Sequence, residues 1–120
     1  VFISHDLVAV ARATEDIVVM YGGDIVERGR TAEVLTSPVL PYSQGLLAAR
    51  PDPRAVPRDA DGRRRRLPTI PGTVPPLYDM AQGCRFAGRC AAERPECAAV
   101  KPAPFGPRQA TCHALQADAS

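Results

Sequence analysis

Large apolar side chains are distributed very unevenly along the 120 residues, and this distribution limits what the chain can fold into. Residues 1–50 contain 20 Val, Ile, Leu, Met, Phe and Tyr side chains, whereas residues 51–66 contain one, Val56. Residues 67–120 contain ten in 54 positions, together with eight prolines. A chain of this length buries one modest core, and only the first 50 residues are rich enough in apolar side chains to supply it.

The middle segment, residues 51–66, is predicted to be a solvated linker. Its sequence PDPRAVPRDADGRRRR holds three prolines, one glycine and nine charged residues. So few apolar groups cannot offset the entropy lost on ordering. The four consecutive arginines suggest an anionic lipid or a nucleic acid as ligand, but such a short charge run is usually only solvated. No aromatic residue in the segment could stack on bases, and we expect no nucleic-acid partner.

Local patterns in the first 50 residues predict an α/β fold. The opening residues Val1–Ile3 have the composition of a strand end, and Ser4 or Asp6 is expected to cap the helix that follows by accepting hydrogen bonds from its free amides. A helix running to about residue 14 is predicted from apolar side chains that share one helical face: Leu7, Val8, Val10 and Ala11.

The next residues predict a β-hairpin and two short helices. DIVVMY (16–21) is a continuous apolar run, two glycines follow as a turn, and DIVERG (24–29) alternates as a second strand. Thr31 is expected to cap a short helix that Pro38 ends. PYSQGLLAAR (41–50) predicts a further helix with a proline in its first turn.

These elements form only the edge of an α/β domain. DIVVMY is typical of a strand covered on both faces, and the sequence predicts too few elements to cover it. We therefore expect further strands of the same domain upstream of this sequence. His5 would then lie just beyond the carboxyl end of a strand, where open α/β sheets place ligand-binding groups. On that position alone, a structural or surface histidine is favoured over a functional one.

A fixed order of short motifs runs through these residues: SHD after a strand, VMYGG, DIVERG and TAEVLTSP. This order resembles the C-terminal part of the ATP-binding subunits of ABC transporters. The resemblance implies that His5 is the switch-loop histidine, which contacts the γ-phosphate of ATP between two ATPase subunits. It also implies ATP and Mg²⁺ as ligands of the intact parent. The GxxxxGK[ST] loop, the signature motif and the acidic pair are not in this sequence, and we expect no ATP hydrolysis by the chain alone.

The tail carries a second set of motifs, IPGTVPPL followed by GCRFAGRC, with PYSQGLL upstream. Together they resemble the C-terminal extension of the ATP-binding subunits of oligopeptide and dipeptide importers, or of the related nickel importers. The resemblance runs from Val1 to about Leu115 and is weakest over the linker. It implies three regions: a C-terminal piece of the ATPase domain (1–50), a charged linker (51–66) and the importer extension (67–120).

Four cysteines lie in this extension: Cys84, Cys90, Cys97 and Cys112. Five, six and fourteen residues separate them, whereas structural zinc usually takes cysteines paired two to four residues apart. Four thiolates on irregular backbone suit a cubane iron–sulfur cluster better. The resemblance implies a four-cysteine 4Fe–4S site here, and zinc or free thiols remain as alternatives. Such a metal staple would help to order a tail too poor in apolar side chains for its own core.

The function predicted from these motifs is a C-terminal fragment of an ATPase subunit that couples ATP hydrolysis to peptide import. Its implied partners are the upstream part of the same domain, a second ATPase subunit, two membrane permease subunits and, indirectly, a peptide-binding protein. No run of about 20 apolar residues predicts a membrane span, so a cytoplasmic location on the inner face of the membrane is expected. The alternative is a stand-alone metal-binding or interaction module without nucleotide chemistry.

Overall fold

Short helices and strands alternate through the first 50 residues of the computed structural model, which describes residues 1–52, 54 and 57–119. The elements of this mixed α/β fold are α1 (Leu7–Ala13), β1 (Asp16–Tyr21), β2 (Asp24–Arg30), α2 (Thr31–Thr36), α3 (Pro41–Ala48), β3 (Pro104–Phe105), β4 (Ala110–Thr111) and α4 (His113–Asp118). Two 3₁₀ turns, Leu77–Asp79 and Pro95–Ala98, lie in the tail.

The predicted hairpin is confirmed, and it contains a bulge. Strands β1 and β2 pair antiparallel, and the turn at Gly22 and Gly23 has φ angles of 57° and 84°, which glycine adopts without strain. The register shifts after Val19, which pairs with Glu27, while the next residue of β1 pairs with Ile25. Val26 is therefore the extra residue, and both it and Glu27 are buried although they are consecutive.

The first helix is capped as predicted, but the strand expected before it is wrong. The Asp6 carboxylate accepts hydrogen bonds from the amides of Val8 (2.9 Å) and Ala9 (3.2 Å). Residues 1–3 are exposed and have no strand partner among the described residues. A strand needs a neighbour to satisfy its backbone groups, and here none lies beside Val1–Ile3. The apolar face of this helix is largely open, since only Val10 is buried.

The second predicted cap is also wrong. Helix α2 begins at Thr31, and Arg30 occupies the capping position without a side-chain hydrogen bond. The Thr31 hydroxyl instead shares a hydrogen bond of 3.0 Å with the hydroxyl of Thr14, which joins the end of α1 to the start of α2. Helix α3 is confirmed, with Pro41 as its first residue.

Part of the tail packs against the hairpin and the start of α3. One cluster combines Tyr21, Val26 and Leu40 with tail residues, namely Met80, Phe86, Ala110 and Cys112. The rings of Tyr21, Tyr42 and Phe86 form an aromatic trio with centroids 4.7 to 5.2 Å apart. The hairpin and the start of α3 therefore provide a packing surface for the tail.

The charged segment between these two parts is exposed from residue 57 to residue 66. It forms a small turn in which the Asp59 carboxylate accepts from the amides of Asp61 (3.1 Å) and Arg63 (2.9 Å). Arg58 and Arg64 form an antiparallel bridge across this turn.

Candidate metal centre

Short backbone contacts bring distant parts of the tail together around the cysteines. The amide of Cys84 donates to the carbonyl of Cys97 at 2.7 Å, and the amide of Gly83 donates to the carbonyl of Ala98 at 3.1 Å. Cys97 lies in the second 3₁₀ turn, and Cys112 is the capping residue of α4. The four cysteines therefore come from four separate positions on irregular backbone, as the sequence predicted.

The four thiols are near one another. A thiolate at any of the neighbouring cysteines would raise the pKa of Cys90, and one at Cys97 or Cys112 would raise the pKa of Cys84. Cys84, Cys90 and Cys112 line one small apolar cavity together with Tyr21 and Phe86. Cys97 and Cys112 are buried and the other two are half-buried, and all four are free thiols. In the described part of the chain, no three or more His, Cys, Asp or Glu side chains are arranged to hold a metal ion.

Burial disfavours the thiolate forms of Cys84 and Cys90. It raises the pKa of Cys84 above its ordinary value of 9.0, against hydrogen bonds from the backbone amides of Phe86 and Ala87. Burial likewise raises the pKa of Cys90, against a hydrogen bond from the amide of Ala92. In both cases the neighbouring cysteines add to the increase, because several thiolates in one place repel each other.

The backbone supplies N–H donors to the sulfur atoms. Besides the amides that face Cys84 and Cys90, the amide of Arg94 donates to the Sγ atom of Cys97 at 3.3 Å. Such donors stabilise thiolates bound to metal and tune iron–sulfur clusters. Four sulfurs with amides directed at three of them are the donor types of a thiolate-bound metal group, although in the described residues these side chains are not arranged as a metal site.

Arg89 holds the loop that carries Cys90, a role that the sequence did not reveal. Its guanidinium donates to the Tyr21 hydroxyl (2.9 Å) and to the carbonyls of Pro71 (2.8 Å) and Gly72 (3.2 Å). It also lies 5.9 Å from the ring centroids of Tyr21 and Phe86. The sequence signal was its position next to a cysteine in GCRFAGRC, but nothing local identified its distant partners.

The two histidines lie in different environments. His113 is adjacent to Cys112, and its Nε2–H donates to the carbonyl of Val100 at 2.8 Å. His5 is exposed in a bend directly before the cap of α1. Across the described residues, the structure gives the His5 ring no hydrogen bond or ion pair, so the ring is accessible.

The fold and the four-cysteine tail define a small mixed α/β protein region with a candidate metal centre. Residues 26–97 match the family described as oligopeptide/dipeptide transporter, C-terminal region. The match covers more than half of the chain, and the chain belongs to this family. The resemblance predicted from the sequence motifs is thereby confirmed.

Curated relatives agree with this assignment. A probable D,D-dipeptide transport ATP-binding protein of Escherichia coli is 43% identical over 96 residues, which is 80% of this chain and 27% of the relative. The dipeptide transport ATP-binding protein of Haemophilus influenzae is 39% identical over 115 residues, 94% of this chain and 33% of the relative. A probable peptide ABC transporter ATP-binding protein of Sinorhizobium fredii is 43% identical over 89 residues, 74% of this chain and 25% of the relative.

The chain therefore spans between a quarter and a third of the length of these relatives. It corresponds to the C-terminal region of ATP-binding proteins for peptide transport. A search of the described residues for a helix with the length and apolar character to cross a bilayer finds none.

Proposed function

We propose that the chain is the C-terminal part of an ATP-binding subunit that couples ATP hydrolysis to peptide import. The observation that carries this proposal is the family match, which extends from the hairpin through three of the four cysteines. In the intact parent, ATP and Mg²⁺ are bound upstream of this chain. A second ATPase subunit and two membrane permease subunits are the partners, at the cytoplasmic face of the membrane, and a peptide-binding protein delivers the substrate.

Open apolar surfaces in the first 50 residues support an upstream partner segment. On one side of the hairpin, Val18, Met20 and Ile25 are each about half exposed. On the other side, an apolar groove lies between α1, β1 and the helices α2 and α3, lined by Leu7, Ile17, Leu35, Leu46 and Leu47. Apolar surface of this kind is covered in a complete α/β domain, so the upstream part of the same ATPase domain is the proposed occupant.

His5 is the residue proposed to contact the γ-phosphate. Its ring is exposed, and it directly precedes Asp6, the cap of α1. An imidazole N–H can donate to a terminal phosphate oxygen. Because the triphosphate is gripped elsewhere, His5 should act on turnover rather than on nucleotide affinity.

The four cysteines are proposed to hold a 4Fe–4S cluster. The support for this is the donor set: four neighbouring thiols, with backbone amides directed at three of them. When bound, the cluster would supply metal–thiolate bonds whose free energy orders the tail. Ligation requires the buried thiols to deprotonate and converge, so binding should release protons. Zinc is the alternative occupant.

The phosphate-sensing role can be tested in the full-length protein assembled with its permeases. His5→Ala should slow ATP turnover while nucleotide binding stays near the level of the unmodified protein. His113→Ala is the matched control, because it removes the other imidazole of this chain and should leave turnover unchanged. An equal loss of ATP affinity and turnover in the His5 variant would contradict the role and indicate a folding defect.

A further inference from the structure

A charged side chain is fully buried in the middle of β2. Glu27 has no solvent exposure, although an isolated carboxylate in a protein interior is strongly disfavoured. Its Oε1 atom accepts from the amide of Val39 at 3.2 Å, and its Oε2 atom accepts from the amide of Leu40 at 3.4 Å. Both amides belong to the segment that leads into α3, so Glu27 fixes the start of that helix.

The compensating charge comes from the tail. An Nη1 atom of Arg108 lies 3.5 Å from Oε1 of Glu27, across 81 residues of sequence. The side chain of Arg108 is itself largely buried, with 18% exposed. The same guanidinium donates to the carbonyl of Ser37 and lies 3.9 Å from Glu33. Arg108 is therefore held between β2 and the loop that joins α2 to α3.

Arg108 is also fixed through its backbone. Its carbonyl accepts from the amide of Arg28 at 2.9 Å. The next residue, Gln109, has a φ of 46°, a conformation that side chains other than glycine rarely adopt. The Gln109 side chain accepts a hydrogen bond from the Arg28 guanidinium at 3.2 Å. The turn at Arg108 is thus held in a strained shape by its contacts with β2.

From this turn the chain runs along β2 directly to a cysteine. The hydroxyl of Thr111 donates to the carbonyl of Val26 at 3.4 Å, and Cys112 follows, buried in the shared cluster. Three residues separate Arg108 from Cys112, and both ends of this stretch are held against β2 or the cluster beside it. Arg108 and Cys112 thus lie at the two ends of one short segment that runs along β2.

We propose that Glu27 and Arg108 are positioning residues that couple the cysteine centre to the start of α3. The proposal rests on the proposed metal centre and links it to the segment that leads into α3. Ligation of Cys112 favours the seated position of Arg108, beside Glu27. In that position Arg108 balances the charge of Glu27, and the Glu27 carboxylate fixes the amides of Val39 and Leu40. By thermodynamic reciprocity, seating of Arg108 also favours ligation.

The Glu27–Arg108 ion pair suits such coupling because its formed and broken states differ strongly in free energy. When Arg108 is seated, the buried carboxylate has both oxygens satisfied and its charge balanced. When Arg108 leaves, an uncompensated charge remains buried, which is much more costly than the loss of an exposed pair. The open state, in which the Glu27–Arg108 ion pair is broken, is therefore rare while the tail is packed against β2. Formation of the ion pair consequently depends strongly on the order of the residues around Cys112.

The first test uses the metal-free full-length protein. Arg108→Gln should increase the rate at which iodoacetamide modifies Cys112 by roughly tenfold or more, because loss of a buried ion partner strongly favours the open state. Exchange of the amides of Val39 and Leu40 with deuterated solvent should increase in parallel. Glu27→Gln combined with Arg108→Gln should give less than the sum of the single effects, since no unpaired charge is then left buried.

Lys101→Gln is the matched control. Lys101 also joins the tail to the hairpin, through an ion pair of 3.0 Å with Asp24, but it is exposed and distant in sequence from Cys112. Its loss should change both rates less than about twofold, as is typical of surface pairs. Arg108→Lys should recover part of the protection, because it keeps the charge but not the fork of donors. If Arg108→Gln leaves Cys112 as unreactive as in the unmodified protein, the positioning role is wrong.

The second test loads the same proteins with iron and sulfide and, separately, with Zn²⁺. In the unmodified protein, bound metal should slow exchange at Val39 and Leu40; in Arg108→Gln it should bind more weakly and slow this exchange far less. Equal slowing in both proteins, or bound metal with no slowing in either, overturns the coupling. If no metal binds the unmodified protein, the metal centre and the coupling both fail, while the alkylation test still decides the positioning role.

Discussion

Cys84 and Cys97 are joined through their backbones, since the amide of Cys84 donates to the carbonyl of Cys97 at 2.7 Å. This contact and its neighbour at Gly83 align the two cysteine-bearing segments side by side. The cysteine centre therefore depends on close backbone approach as well as on its thiols.

The close contact between the segments that carry Cys84 and Cys97 leaves no room for a side chain at Gly83. A Cβ atom there would overlap the carbonyl of Cys97 and would lie 2.7 Å from both the amide nitrogen and the carbonyl oxygen of Val100. Gly83→Ala should therefore destabilise the tail by about 2 kcal/mol or more, measured by urea denaturation. Gly62→Ala is the control, because its Cβ would meet nothing within 4 Å and only its φ of 75° is unfavourable, at about 1 kcal/mol. If Gly83→Ala and Gly62→Ala lowered the free energy of unfolding by similar small amounts, the predicted overlap at Gly83 would be contradicted.

The raised pKa values of Cys84 and Cys90 predict a loss of stability at alkaline pH in the metal-free, reduced protein. Below the ordinary pKa of 9.0, folded and unfolded thiols are both protonated, and the stabilisation is complete. As the pH rises through that value, the unfolded chain loses protons first, so the folded state binds more protons and the free energy of unfolding falls. Thermal melting across this range should show the decrease, and replacing both cysteines by serine should flatten it. A melting temperature that rises with pH in this range would contradict the predicted loss of stability.

Arg89 should contribute strongly to the order of the loop that carries Cys90. Arg89→Ala removes three hydrogen bonds that link the loop to Tyr21, Pro71 and Gly72. The expected loss is about 2 kcal/mol of unfolding free energy, with a faster reaction of Cys90 toward iodoacetamide. Arg94→Ala, which removes an exposed ion pair with Asp118, should cost well under 1 kcal/mol. Comparable losses in the two variants would show that Arg89 is not an anchor.

The cap of α1 gives a local prediction near His5. Asp6→Ala removes the acceptor of two helix amides and should destabilise α1 by about 1 kcal/mol, whereas Asp6→Asn should retain most of the cap. Hydrogen exchange of the Val8 and Ala9 amides measures the effect directly. If the alanine and asparagine variants exchange alike, the side-chain cap does not stabilise the helix.

The sequence predicted those elements whose signals are local. The hairpin followed from DIVVMY, two glycines and DIVERG, and helix α3 followed from a proline in its first turn. The strand at Val1–Ile3 was wrong because composition cannot show whether a partner strand lies alongside. Thr31 was misassigned because its hydroxyl bonds to Thr14, across a contact that spans two elements.

The long-range contacts had no signal in the sequence. Glu27 was an ordinary member of an alternating strand until the bulge at Val26 placed it in the interior, and its partner Arg108 lies 81 residues away. The cysteine spacing predicted four ligands on irregular backbone, and the structure brings those four thiols near one another. It could not predict that the tail would share a core with the hairpin, because that depends on which surfaces meet.

The metal centre is tested most directly by anaerobic reconstitution of the full chain with iron and sulfide. We expect a brown protein whose broad visible absorption bleaches on reduction, and a tail that gains protease resistance as the colour develops. Serine in place of Cys84, Cys90, Cys97 or Cys112 should weaken both effects together, whereas His113→Ala should weaken neither. A colourless protein that binds one zinc ion per chain with the same protection would show that the site is real and the metal is zinc. If neither iron with sulfide nor zinc changes the protease sensitivity of the tail, the cysteines hold no structural metal and the central claim is contradicted.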